Sequence, residues 1–352
     1  MIRALIVEDS LTVQEFLVEV LRSDPQIEVV GTAKDGLEGI EMTKRLRPSI
    51  VVMDINMPKM DGLEATKRIM IEAPTPIVIV SGSMNVRDVT VSMSALRAGA
   101  LALLEKPNGI AADNFEQSAR HLVATVKAMA GVKVIRHWAA TAPQSPLPLP
   151  AVPRRPRQIR LIAAAASTGG PAALARCLSE LPASFSVPIV IVQHIAQGFV
   201  GGFASWLSTV CPLRVKIAAD GEPLLPSTVY LAGEGGHTGV SGESRIVLDS
   251  GPPIGGFRPS ANYLFASMGK AFGPSAVALM LTGMGQDGVD GLRALRADGG
   301  QVLAQDESSS IVFGMPGATI AAGLADWVLP LPSIGPHLVR MVNRTCRFEN
   351  KE

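Results

Sequence analysis

Three side chains beyond residue 158 have the types needed for nucleophilic acyl transfer: a serine, a histidine and an aspartate. The serine, Ser167, lies in the segment ASTGGP at 166–171, directly after an apolar run at 159–165 that predicts a buried strand. Pro171 is typical of the first turn of a helix. Ser167 therefore lies at the carboxyl end of a strand, where open α/β sheets bind ligands, although a serine at such a junction also caps helices.

His194 is the candidate base. It follows the strand-like segment 188–193, which predicts that it shares a sheet edge with Ser167. A buried histidine is more often structural, and His237 and His337 are the other histidines of this part of the chain. The strand-end position beside a candidate nucleophile favours His194 as the base.

Asp287 is the candidate acid, in the segment TGMGQDG at 282–288 after another apolar strand. A carboxylate at the same edge would hold the histidine tautomer and stabilise the imidazolium. Backbone N–H groups after Ser167 or in the Met284 loop are candidate oxyanion donors. The glycines of this segment, with Asp306, also match a dinucleotide fingerprint, but a carboxylate inside a pyrophosphate loop would repel that ligand.

A second constellation, in the first third of the chain, is acidic. Its members follow or end the first, third, fourth and fifth of five predicted strands: Glu8 and Asp9, Asp54, Ser81, and Lys106. Because the carboxyl ends of parallel strands share one edge, three carboxylates would converge there, and Mg²⁺ would neutralise them. Such a site suits phosphoryl transfer to a carboxylate. Taken singly, Asp9 as a helix cap and Lys106 as a solvated lysine are ordinary alternatives; the joint spacing favours the site.

The elements that must position these residues alternate between strand and helix. In the first part the patterns predict strands at 2–7, 27–32, 50–54, 76–81 and 101–105, and helices at 12–23, 37–47, 62–72, 86–98 and 113–129. In the second part they predict strands at 159–165, 188–193, 228–232, 276–281 and 301–304, and a hairpin around Gly242. This alternation predicts an α/β fold, with mostly parallel sheets covered by helices.

Composition indicates the domain organisation and argues against nucleic-acid-binding and membrane-inserted classes of protein. A proline-rich segment with the basic run at 154–157 predicts a solvated linker, so we expect domains at 1–130 and 158–347 joined by a linker at 131–157. The net charge of +1 gives no indication of nucleic-acid binding, and no apolar stretch is long enough for membrane insertion. Three widely spaced cysteines form no metal or disulfide framework, which favours a cytoplasmic location.

The first part resembles the response-regulator receiver domain over about residues 1–129. The resemblance implies a flavodoxin-like fold. It also implies a set of functional residues: Asp54 as phosphoacceptor, Ser81 and Lys106 as switch residues, and Glu8, Asp9, Asp54 and the Asn56 backbone carbonyl as ligands of Mg²⁺. Leu103 is a departure, since receivers often carry Tyr or Phe three residues before the lysine.

The second part resembles the catalytic domain of the chemotaxis protein-glutamate methylesterase family over about residues 158–345. The matching segments are ASTGGP at 166–171, QH at 193–194, LA at 231–232, RPS at 258–260, TGMGQDG at 282–288, AQDESS at 304–309 and GMP at 314–316. The resemblance implies a doubly wound catalytic domain without a cofactor. The residues it implies are the triad Ser167, His194 and Asp287, with Thr168 and Met284 at the oxyanion site. Segments 196–199 and 233–237 depart from the usual sequence beside the cleft, which bears on receptor choice more than on chemistry.

Together the two resemblances imply a phosphorylation-regulated serine hydrolase of chemotaxis. It would release methanol from glutamate methyl esters and deamidate glutamines on chemoreceptors, with a chemotaxis histidine kinase as phosphodonor. Two alternatives stay open: an esterase or amidase of the same fold in another receptor system, and a non-catalytic docking protein under phosphorylation control. A DNA-binding regulator is disfavoured because no basic helix-turn-helix pattern is present.

Overall fold

The computed structural model describes residues 1–82, 94–96, 98–106, 115–132, 158–196 and 198–346. The chain divides into two compact units, Met1–Ala140 and Thr141–Glu352. Apart from its first two residues, the expected linker at 131–157 lies outside the described residues, as does most of the helix expected at 86–98. The expected domain boundaries therefore stay predictions.

The first unit contains a five-stranded parallel sheet in the order β2-β1-β3-β4-β5. Its strands are β1 (Ile2–Val7), β2 (Ile27–Ala33), β3 (Ile50–Met53), β4 (Ile77–Ser81) and β5 (Ala102–Glu105). Its helices are α1 (Leu11–Arg22), α2 (Gly36–Leu46), α3 (Gly62–Glu72) and α4 (Phe115–Ala130). The strand order is that of flavodoxin-like folds, so the fold predicted for this part is confirmed.

The second unit contains a seven-stranded parallel sheet in the order β14-β13-β12-β6-β7-β9-β8, and a separate hairpin. Its strands are β6 (Leu161–Ala166), β7 (Ile189–Gln193), β8 (Arg214–Ile217), β9 (Thr228–Leu231), β10 (His237–Val240), β11 (Ile246–Asp249), β12 (Ala276–Met280), β13 (Gln301–Gln305) and β14 (Trp327–Leu329). Its helices are α5 (Gly170–Ser179), α6 (Val200–Ser208), α7 (Ala261–Phe272), α8 (Val289–Ala297), α9 (Met315–Ala321) and α10 (Leu331–Cys346), with a short 3₁₀ turn at Gly273–Ser275.

Two strands of this sheet, β8 and β14, were missing from the sequence prediction. Both are edge strands, and an edge strand does not need the continuous apolar run that marks a buried one. β8 has the sequence RVKI and is largely solvent-accessible, while β14 has only three residues. The hairpin predicted around Gly242 is present as the antiparallel pair β10–β11.

One hydrophobic cluster of the second unit packs on one face of its central strands. All six residues of β6, with the sequence LIAAAA, are buried, and the small side chains leave room for larger residues of α7, including Leu264, Phe265 and Met268. Strand order reverses on either side of β6, which pairs with β7 on one side and with β12 on the other. The carboxyl ends of β6 and β12 therefore form a topological switch point.

Candidate active site and phosphorylation site

Ser167 follows β6 at this switch point and is 8% exposed. Its N–H donates to the carbonyl of Thr282, 3.1 Å away beyond β12, and its carbonyl accepts from the N–H of Gly170 at 2.8 Å. Helix α5 begins at Gly170, and its N-cap is Gly169, which has a φ of 78° and makes no side-chain capping bond. The Ser167 hydroxyl is therefore not the helix cap, and the alternative that this serine only caps a helix is wrong.

His194 lies next to Ser167 at the same sheet edge. Its backbone N–H donates to the carbonyl of Ala166 at 2.9 Å, and its ring Nε2 is 2.9 Å from Oδ2 of Asp287. The ring stacks on Phe257, with centroids 4.3 Å apart and planes at 12°. The structure thus brings the predicted base and the predicted acid into direct contact, and the stacked ring limits rotation of the base.

The carboxylate of Asp287 is buried, with 4% of the residue exposed, yet it is fully hydrogen-bonded. Oδ1 accepts from Ser260 Oγ at 2.7 Å and from the Asn262 N–H at 3.3 Å. Oδ2 accepts from the Ala261 N–H at 2.7 Å as well as from His194. Burial raises the pKa of Asp287, but the bonds from His194, Ser260 and Ala261 outweigh it and lower the pKa below its usual value.

The ionised Asp287 fixes the tautomer of His194. A carboxylate accepts hydrogen bonds, so Nε2 of His194 carries the proton that it donates, and Nδ1 of the neutral ring carries a free lone pair. Nδ1 is buried and has no hydrogen-bond partner among the described residues. The ring nitrogen available to take a proton is therefore Nδ1.

The backbone around Ser167 is held in place on two sides. The side-chain amide of Gln193 donates to the carbonyls of both Ser167, at 2.9 Å, and His194, at 2.8 Å. On the other side, a Cβ at Gly283 would lie 2.8 Å from Ser167 Cβ and 2.4 Å from Met315 Sδ, so only glycine fits. The N–H groups of Thr168 and Met284, the predicted oxyanion donors, donate to no acceptor among the described residues.

The dinucleotide alternative is not supported by this geometry. Asp287, the acidic residue inside the glycine-rich segment, directs its carboxylate to the first N–H groups of helix α7. That buried carboxylate already accepts four hydrogen bonds, which leaves no role for the loop as a pyrophosphate cradle.

The predicted acidic pocket of the first unit is also assembled. Glu8, Asp9 and Asp54 place carboxylate oxygens within 4.8 Å of one another, at the switch point between β1 and β3. The Lys106 ammonium lies 2.8 Å from Glu8 Oε2 and 3.1 Å from Asp54 Oδ1, so Lys106 is not a solvated loop lysine. Asp9 does not cap α1 either, because the N-cap residue is Ser10.

The electrostatics of this pocket favour added positive charge and a phosphoryl group. Burial raises the pKa of Asp54 and, together with the charge of Asp54, that of Glu8. Burial lowers the pKa of Lys106, but its ion pairs outweigh that effect and raise it. The buried Ser81 hydroxyl has no partner among the described residues. Clustered oxygen ligands fit a hard divalent cation such as Mg²⁺, and the Ser81 hydroxyl fits an added oxyanion.

For two residues of the predicted receiver site, Asn56 and Leu103, the described part of the structure gives burial but no contact that specifies a role. Asn56 follows Asp54 on an exposed loop, which is compatible with a ligand role for its carbonyl. Leu103, at the position where an aromatic residue was expected, is half-buried in β5. Among the described residues, no contact gives this leucine a switch function.

Several residues that build the active-site geometry received no role from the sequence. In the sequence, Ser260 and Gln193 stand only within matching segments, His237 is only a rival base, and Phe257 has no assigned role. A serine directly before an apolar helical pattern is an N-cap signature, so Ser260 was recognisable as a cap. Its contact with Asp287 was not, since 27 residues separate the two in the chain.

Comparison with known proteins identifies the families to which the two parts of the chain are similar. Residues 162–338 match the CheB methylesterase family, and residues 4–114 match the response regulator receiver domain. The chain is 55% identical over 342 residues to protein-glutamate methylesterase/protein-glutamine glutaminase 4 of Myxococcus xanthus, covering 96% of each. It is 48% identical to the enzyme numbered 3 of Anaeromyxobacter dehalogenans, covering 98% of this chain and all of the relative.

One solved structure bears on the second unit. The CheB methylesterase catalytic domain of Thermotoga maritima is 35% identical, with a TM-score of 0.51, and the match covers 53% of this chain and 100% of that domain. The chain belongs to the CheB methylesterase family and carries a response regulator receiver domain. In the described part of the chain, no helix has both the length and the apolar character needed to cross a bilayer.

Proposed function

We propose that this chain is a protein-glutamate methylesterase and protein-glutamine glutaminase that acts on chemoreceptors in chemotactic adaptation, with Ser167, His194 and Asp287 as its catalytic triad. The observation that carries the proposal is the His194–Asp287 pair, which leaves Nδ1 of His194 without a partner among the described residues, while the His194 backbone bonds to Ala166, the residue before Ser167. The names of the full-length relatives support this substrate class.

The first half of the reaction forms an acyl-enzyme. Nδ1 of His194 takes the proton of the Ser167 hydroxyl while Oγ attacks the carbonyl carbon of the glutamate methyl ester. The backbone N–H groups of Thr168 and Met284 stabilise the resulting oxyanion, aided by the nearby start of helix α5. His194 then returns the proton to the methoxide, and methanol leaves.

The second half regenerates the enzyme. A water molecule gives its proton to the same nitrogen of His194 and attacks the acyl carbon, which releases a glutamate carboxylate and restores the Ser167 hydroxyl. With a glutamine side chain the leaving group is ammonia and the same carboxylate results. No step draws on a metal or a cofactor in this unit, because the charge stabilisation comes from Asp287 and backbone donors.

The first unit supplies the regulation. We propose Asp54 as phosphoacceptor, a chemotaxis histidine kinase as phosphodonor, and Ser81 and Lys106 as contacts of the new phosphoryl oxygens. Mg²⁺ would be held by Glu8, Asp9, Asp54 and the Asn56 carbonyl, where it neutralises the charge that builds up during transfer. The buried free thiols of Cys177 and Cys211 are typical of a reducing compartment and support a cytoplasmic location.

The proposal is tested by methanol release from methyl-labelled receptor membranes. Ser167→Ala removes the nucleophile, so methanol release is expected to fall by about 10⁴-fold or more. Ser179→Ala serves as the matched control. Ser179 is the last residue of helix α5, which begins three residues after Ser167, and this variant removes an exposed hydroxyl. Methanol release by the Ser167→Ala variant at the parent rate would refute the triad.

Two further measurements separate the alternatives. A docking protein without catalysis would leave Ser167 unlabelled by a fluorophosphonate in the phosphorylated chain, whereas the proposed enzyme is labelled there. An enzyme of another receptor system would label at Ser167 yet release no methanol from methylated chemoreceptors.

A further inference from the structure

We propose that Ser260 and His237 are positioning residues of the active site, which hold the Asp287 carboxylate in the orientation that fixes the Nε2–H tautomer of His194. The inference rests on the proposed function for its kinetic consequence. The contacts that carry it form one connected chain from the β10–β11 hairpin, through the start of helix α7, to Asp287 and His194.

Ser260 is the N-cap of helix α7 and is fully buried, with 0% exposed. Its hydroxyl accepts from the Asn262 N–H at 3.2 Å, as caps do, but donates its single proton to Asp287 Oδ1 at 2.7 Å. Without that bond, Oδ1 would keep only the Asn262 N–H at 3.3 Å, a long contact. Ser260 is thus the main restraint on Oδ1, while the Ala261 N–H restrains Oδ2 at 2.7 Å.

His237 accepts a hydrogen bond from the backbone of Ser260 and is itself buried, with 1% exposed. Its Nε2 lies 2.9 Å from the carbonyl of Pro252, which can only accept, so Nε2 carries the ring proton. The unprotonated Nδ1 then accepts from the Ser260 N–H at 3.2 Å, and the ring stacks on Tyr263 with centroids 5.1 Å apart. This second histidine is therefore placed to orient the residue that orients the acid, not to act as a base.

The carboxylate of Asp287 reaches the start of helix α7 from a loop that is fixed on one side only. Gly285 and Gln286 before it are exposed, whereas Gly288 after it is buried and donates its N–H to Asn262 Oδ1 at 3.1 Å. This loop anchor holds the backbone, and the side-chain orientation depends on the donors of α7. Rotation of a catalytic carboxylate by a small angle breaks the bond that fixes the histidine tautomer. The Ser260 hydroxyl prevents that rotation from the oxygen opposite His194.

The test uses the full chain with Ser260→Ala and Ser260→Thr, and it has two readouts. The first is kcat/KM for methanol release, which we expect Ser260→Ala to lower by about 10- to 100-fold, mainly in kcat, since a bond to a charged group is lost. The second is the low-field ¹H signal of the His194 Nε2–H in ¹⁵N-histidine-labelled protein, assigned by its absence from His194→Gln. We expect the signal to disappear in the alanine variant and to persist in the threonine variant, which keeps a hydroxyl.

Ser267→Ala is the matched control for helix stability. Its hydroxyl donates to the Leu264 carbonyl at 2.8 Å and accepts from the Val240 N–H at 3.1 Å, in the same helix but without contact to Asp287. It should keep the parent kinetics and the parent signal. If it loses as much activity as Ser260→Ala, the effect is general helix destabilisation and the inference fails.

A second pair of variants covers the case in which Ser260→Ala does not fold. His237→Asn keeps an acceptor at the position of Nδ1 and should keep the His194 signal, whereas His237→Leu has no acceptor and should lose it. Parent-like kcat/KM and an intact signal in both Ser260→Ala and His237→Leu would overturn the inference. A parent chain that releases no methanol, yet shows a His194 signal dependent on Ser260, would refute the proposed function and leave the inference standing.

Discussion

The two units place carboxylates at equivalent points of similar sheets and treat them in opposite ways. In the first unit, Glu8 and Asp54 lie at the switch point beside β1, and burial raises the pKa of both. In the second unit, Asp287 lies at the switch point beside β6, and its hydrogen bonds lower its pKa despite burial. The same edge of an α/β sheet thus supports two electrostatic designs.

The difference corresponds to what each carboxylate has to do. A phosphoacceptor must gain charge and change its partners, so a crowded acidic pocket with one ammonium and an unpartnered Ser81 hydroxyl suits it. The acid of a triad must stay ionised and still, so four fixed donors suit it. The number of fixed donors around a buried carboxylate therefore separates a switch from a preorganised catalytic group.

The largest effect expected from this comparison is that of Asp287→Asn. An amide cannot accept from all four donors, and it favours the wrong tautomer of His194, so kcat/KM for methanol release should fall by about 10⁴-fold. Asp290→Asn is the matched control, because Asp290 is an exposed residue of the next helix that pairs only with Arg293 among the described residues. A loss of less than tenfold in Asp287→Asn would mean that the satisfied carboxylate is structural.

Gly283→Ala is expected to have the next largest effect. The added Cβ would lie 2.8 Å from Ser167 Cβ and 3.0 Å from its backbone nitrogen, so the nucleophile must shift. A displacement of this order costs about 10²-fold in rate, which kcat/KM for methanol release measures. Gly201→Ala, where a Cβ meets nothing within 4 Å, should match the parent. Equal activity in the two variants would show that the Ser167 position is not rigidly fixed.

In the first unit, Asp54→Asn should remove the response of methanol release to acetyl phosphate and Mg²⁺. Coupling between two sites commonly changes activity by about 5- to 150-fold, and that factor is what this variant should lose. Asp61→Asn is a suitable control, since Asp61 caps α3 by accepting from the Glu64 N–H and asparagine caps equally well. A phosphodonor response that persists in Asp54→Asn would place the phosphoacceptor elsewhere.

Much of the fold was predictable because its buried parallel strands are near-continuous apolar runs. β6 and β7 have the sequences LIAAAA and IVIVQ, which few other structures favour. The edge strands β8 and β14 are not predictable in this way, because an edge strand is more exposed and has no such run. Periodicity reports burial, so it finds the middle of a sheet more easily than its margins.

The residues of the candidate sites also fall into a predictable group and an unpredictable group. Ser167, His194, Asp54 and Lys106 were found because a strand end is visible in the sequence and the topology brings strand ends together. Ser260 and His237 were not, because their roles depend on the path of a hairpin and a helix start that no local pattern specifies. The residues that do chemistry lie at ends of elements, whereas those that hold them in place depend on packing.

The smallest predicted effect sharpens the contrast between the two carboxylate sites directly. Mg²⁺ at three times its Kd should stabilise the first unit by about 0.8 kcal/mol, seen as slower hydrogen exchange of amides in β1 and β3. Amides of β6 and β12, where Asp287 is already satisfied, should not respond. Because the pKa values of Glu8 and Asp54 are raised, protons compete with the cation as the pH falls, beginning at a higher pH than for ordinary carboxylates. The protection should therefore weaken on acidification, and equal protection of both units would show that the cation does not act through the acidic pocket.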